Sequence, residues 1–62
     1  MNEKCKILLE KGINEEVCGD KSIKMTYILC RSRQLIDEGK GKSEALKQAW
    51  EEVKGKCKSL TA

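Results

Sequence analysis

Between Asp20 and Gly39 lie eighteen residues without a single Gly or Pro, and their apolar side chains fall on two opposite sides of a helix. At about 100° per residue, Met25, Ile28, Leu29, Ser32, Leu35 and Ile36 form one wide face. Ile23, Tyr27, Cys30 and Gln34 gather on the other side. A helix that is apolar on two sides is contacted on two sides. The pattern therefore predicts a central helix over about 21–38, with Asp20 as its N-cap and Gly39 as its stop.

The flanking segments read as its partners. A short helix is predicted over about 3–11, capped by Asn2, with Met1, Cys5, Leu8 and Leu9 on one face. Gly12 fits the left-handed position that ends a helix, and a Schellman motif there would set Ile13 against Leu8. Residues 14–19 read as one helical turn, capped by Asn14, stopped by Gly19 and stapled by Ile13 on Cys18. The last helix is expected to start after Ser43 and to reach about 54–59. Leu46, Ala49, Trp50, Val53, Cys57 and Leu60 make its stripe, with Trp50 as the largest side chain of the core or, in the other reading, a partner-binding anchor. Gly55 falls on the solvent face, where the helix is expected to fray.

The short 39–42 connection makes the second and third helices an antiparallel hairpin. No segment alternates with period two over a useful length. The fold class is therefore all-α: one three-helix domain over 1–62, with the first helix packed back across the hairpin.

At 62 residues, the chain is near the lower limit for folding on its own core, and such chains need staples. Four cysteines allow three pairings. Measured from a turn near residue 40, Cys57 lies about six residues further along its helix than Cys30, an offset of roughly 9 Å at helical rise. That exceeds the ~7 Å limit on the Cα separation of a disulfide. Cys5 comes level with a residue close to Cys30, and Cys57 comes towards the end that holds Cys18. The expected pairs are Cys5–Cys30 and Cys18–Cys57. Each would contribute roughly 3–4 kcal/mol by closing a long loop.

Four buried thiols are the competing reading. A metal site is poorly signalled, because the intervening lengths of 12, 11 and 26 residues contain no C-x₂₋₄-C knuckle. There is no histidine either, so Cys-His and Ser-His-Asp chemistry are excluded. No carboxylate lies on an apolar face where burial would tune it for acid–base work. The chain is read as a non-enzyme without a cofactor.

The net charge is +3, spread unevenly. Residues 1–20 carry −2, residues 21–42 carry +4, and the remainder +1. Neither a signal-peptide core nor a stretch of membrane-spanning length is present, so a cytoplasmic location with no membrane contact is expected. Lys and Glu dominate the polar residues, a bias of thermophilic proteins, whose cytosol tolerates disulfides.

Gly39-Lys40-Gly41-Lys42-Ser43 has the look of a phosphate loop, but position 36 is Ile rather than Gly, and no strand precedes it. Three function classes remain. The first is a protein-interaction or adaptor module, including a homodimer, that uses Ile23 and Tyr27 if the first helix leaves them exposed. The second is a helix-turn-helix-like nucleic-acid module that contacts phosphate through Arg31, Arg33, Lys40 and Lys42. The acids Glu44, Glu51 and Glu52 on the would-be recognition helix oppose it. The third is a thiol or metal-binding protein.

Overall fold

The computed structural model describes residues 3–61. The chain is all-α, with four helices in the order α1 (Glu3–Lys11), α2 (Glu15–Gly19), α3 (Lys21–Asp37) and α4 (Lys42–Thr61). The expected cap at Asn2 and the face position of Met1 lie outside the described residues.

Local chemistry sets the boundaries. Gly12 adopts φ 74°, and its N–H donates to the Leu8 carbonyl, which is the simpler left-handed cap rather than the expected Schellman motif. The Asn14 side chain accepts from the Val17 N–H and starts α2. Gly19 is the last helical residue of α2. Asp20 closes α2 and opens α3, its side chain accepting from the Ser22 and Ile23 amides. At the far end of α3, Lys40 N–H donates to Leu35 and Gly39 N–H to Ile36, with Gly39 at φ 107°. That is the Schellman pattern, placed at the end of α3 rather than of α1. α4 begins two residues earlier than expected, with Gly41 accepting from Ala45, so Ser43 lies inside the first turn. It also runs through Gly55 to Thr61. Cys57, two residues beyond that glycine, is bonded to Cys18 and holds the final turns in place.

α3 is the central element. It lies against α1, α2 and α4, whereas among the described residues no Cα of α1 comes within 8 Å of one of α4. Val17, Tyr27, Ile28, Ala49 and Val53 form the core, with Leu8, Leu9, Ile13, Ile23 and Cys57 packed around them. Both staples are present. Cys5 is bonded to Cys30 at a Cα–Cα distance of 5.3 Å, and Cys18 to Cys57 at 5.5 Å. The first fixes α1 along the Ile23–Tyr27–Cys30 side of α3, and the second fixes α2 to the end of α4.

Two packing expectations need correction. The wide face of α3 is only half covered: Ile28, Ser32 and Leu35 are buried, but Met25 is 43% exposed and Leu29 55% exposed. On α4, Ala45, Ala49 and Val53 are buried, while Trp50 is 41% exposed and Leu46 37% exposed. Trp50 is therefore not the centre of the core. α4 is rolled so that its smallest residues face α3, and alanines let the two backbones approach closely. One cylinder of about 10 Å diameter then covers only part of the α3 face.

Candidate functional site

The α3/α4 pair has two flanks. On the first, Arg31 reaches across to Glu52, with Nε to Oε1 at 2.9 Å and an Nη to Oε2 at 3.2 Å. Arg31 also donates to the Gln34 side chain. Gln48 donates to Glu52 at 3.2 Å and accepts from Lys40 Nζ at 2.8 Å. The forked guanidinium–carboxylate contact is the strong form of a charged hydrogen bond. Its effect is reciprocal. The hydrogen bond from Arg31 holds the Glu52 carboxyl below the usual range, helped by Gln48 and opposed by partial burial. The same bond raises the Arg31 guanidinium against its own desolvation. Beneath this network, burial pushes the Tyr27 phenol up, and the Glu52 charge pushes it further.

The second flank carries four exposed large apolar side chains, while Ile7 on α1 and Leu60 near the end of α4 are exposed elsewhere. Met25 and Leu29 are four residues apart on α3, and Leu46 and Trp50 are four apart on α4, so each pair is adjacent on its helix. The pairs meet where Leu29, Ile36 and Leu46 line one open hollow, beside Arg33 and Lys42. Trp50 and Val53 line a second hollow, rimmed by Lys24, Lys47 and Lys54, with Glu51 as its acid. Arg33, Lys42, Lys47 and Lys54 are exposed and Lys24 half-buried; none of the five takes part in a salt bridge among the described residues.

These placements sort the residues singled out from sequence. Tyr27 is only 6% exposed and belongs to the core. The exposed Ile23–Tyr27 strip is therefore corrected: Tyr27 packs with Val17, Ile28, Ala49 and Val53, and Leu8, Leu9, Ile13 and Ile23 pack against that cluster. Ile23 keeps a half-buried edge in a shallow hollow with Ile7 and Leu8. The four cations proposed for phosphate divide two and two. Arg31 and Lys40 are engaged in the polar network, and Arg33 and Lys42 border the apolar hollow. They do not form one patch. All four sulfurs are in disulfide bonds, so no thiolate is left to act as ligand or nucleophile. Among the described residues, no three His, Cys, Asp or Glu side chains gather as a metal site would require, and no helix is long and apolar enough to cross a membrane.

Sequence reasoning places Trp50 in the core first and as a partner-binding anchor second, and sets Leu46 inward, because Trp and Leu outrank Ala in hydrophobicity. One signal was available. Arg31 lies nine residues before Lys40 and Glu52 twelve after it, an offset of about 4.5 Å at helical rise that two long side chains can bridge, so an ion pair between them fixes the roll of α4 with Ala45 and Ala49 inward.

The fold and surface define a small, disulfide-stapled all-α domain with one polar and one apolar flank on its helical hairpin. No family model matches the chain, and no curated protein or solved structure matches it.

Proposed function

We propose that this chain is a non-enzymatic protein-interaction module whose contact surface is the Met25–Leu29 and Leu46–Trp50 flank of the α3/α4 hairpin. The observation that carries the reading is the contrast in exposure. Four large apolar side chains stand more than a third open on one flank, while the other is closed by hydrogen bonds. Contiguous exposed apolar surface rimmed by polar groups is characteristic of association sites. The flank includes a tryptophan, the residue type that most often dominates binding energy. Each of the two helices is tied by one disulfide, α3 through Cys30 and α4 through Cys57, which lowers the ordering cost that would oppose binding.

The test is site-specific photocrosslinking in the cell that makes the protein. A photoreactive residue at Leu46 is expected to give discrete protein adducts, and the same residue at Gln48 on the closed flank is expected to give none. Equal labelling from both positions, or none from Leu46, overturns the reading.

A further inference from the structure

We infer that the partner is an amphipathic helix with acidic flanks, seated lengthwise along the hollows between α3 and α4. This rests on the interaction reading above and names the chemistry of its partner. The apolar side chains occur as two i, i+4 pairs on antiparallel helices, and Leu29 and Leu46 close on a shared hollow. A helix presents its own apolar residues at i, i+3, i+4 and i+7, the spacing that fills such a groove. The rim then selects the charge. Lys24, Arg33, Lys42, Lys47 and Lys54 border the two hollows, and Glu51 is the acid that lines them. Desolvated against a partner, five cations free of salt bridges need carboxylates opposite them.

The other occupants fit less well. A symmetric dimer would press this patch against its own copy and set cation against cation. Single-stranded nucleic acid seeks aromatic platforms, and Trp50 is the sole aromatic here among aliphatic neighbours. An anionic membrane favours a projecting apolar ridge, whereas Leu29 and Leu46 line a hollow.

The experiment is a selection from a random helical peptide library on the oxidised protein, counter-selected against Leu46→Glu. Peptides retained by the wild type and lost on the variant are expected to carry Asp or Glu beside an apolar i, i+3/i+4, i+7 stripe. They are expected to shift the emission of Trp50, the only tryptophan, to the blue. Reversing Lys47→Glu and Lys54→Glu together is expected to weaken them at least tenfold, while the circular dichroism and melting of the variant match the wild type. Binders at this flank with neutral or basic edges leave the interaction reading standing and overturn this inference. An absence of binders sensitive to Leu46→Glu overturns both. Phosphatidylglycerol vesicles, or a single-stranded oligonucleotide, that shift Trp50 at lower concentration than any selected peptide overturn it in favour of a lipid or nucleic-acid ligand.

Discussion

The two flanks of the α3/α4 hairpin come from the same pair of helices and end in opposite states. On one, Arg31, Gln34, Gln48, Glu52 and Lys40 satisfy one another across the helix boundary. On the other, Leu29, Leu46 and Trp50 stay open beside cations that have no acidic partner among the described residues. The difference is one of roll. Turning α4 so that Ala45 and Ala49 face Ile28 and Leu35 brings Glu52 within reach of Arg31 and carries Leu46 and Trp50 out of the core. In a chain this small, a polar lock on one side leaves apolar surface on the other, because there is no further element to cover it.

The largest predicted effect acts on both flanks together. Replacing Cys18 and Cys57 by Ser removes the constraint that holds α2 and the last turns of α4, at a cost of roughly 4 kcal/mol on the chain-entropy account. Urea denaturation followed by far-ultraviolet circular dichroism and by Trp50 emission should show both signals moving to a lower midpoint in parallel. A shift in Trp50 emission alone would mean that the staple holds only the open flank.

The next effect separates the flanks. Arg31→Met should lower stability by about 1 kcal/mol, the scale of a partly exposed ion pair. It should also change the acid limb of the stability curve. Glu52 has a lowered carboxyl pKa in the folded chain, so its contribution is fully present above its ordinary value and drains away as pH falls through the lowered one. Thermal melts between neutral pH and pH 2 should therefore show a shallower acid loss in Arg31→Met than in the wild type. Parallel curves would show that the Arg31–Glu52 bond does not fix the roll of α4.

The smallest effect is on the open side. Leu29→Gln exchanges an exposed apolar side chain for a polar one and should change stability by no more than about 0.5 kcal/mol. Its neighbour Ile28 is fully buried, so Ile28→Ala should cost about 2–4 kcal/mol. A comparable loss for the two would place Leu29 in the core and remove the contrast between the flanks.

Much of the architecture is legible in the residues. Asp20, Gly39 and Gly12 mark helix ends with the dihedral and hydrogen-bond preferences of their types. Helical rise alone brings Cys5 to Cys30 and Cys18 to Cys57, because level along a helix is a matter of counting. What does not follow from counting is rotation about the helix axis. Hydropathy ranks Trp50 and Leu46 above Ala45 and Ala49, yet close approach favours the small residues, and the Arg31–Glu52 fork favours the same roll. Tyr27 shows the converse. Its exposure depends on the first helix being too short to cover that face, and Tyr27 is instead buried beside Val17, Ala49 and Val53. Pairwise constraints between helices, rather than the apolar pattern of any one of them, decide which faces are left open.

The central claim is that Trp50 stands open within a cationic rim on the flank opposite the polar lock. Quenching its emission with iodide and with caesium at low, matched ionic strength measures both parts at once. The account predicts that both ions quench, and that iodide quenches more strongly because Lys24, Lys47 and Lys54 concentrate anions at the indole. A tryptophan that neither ion reaches, or one that caesium quenches as well as iodide does, would contradict it.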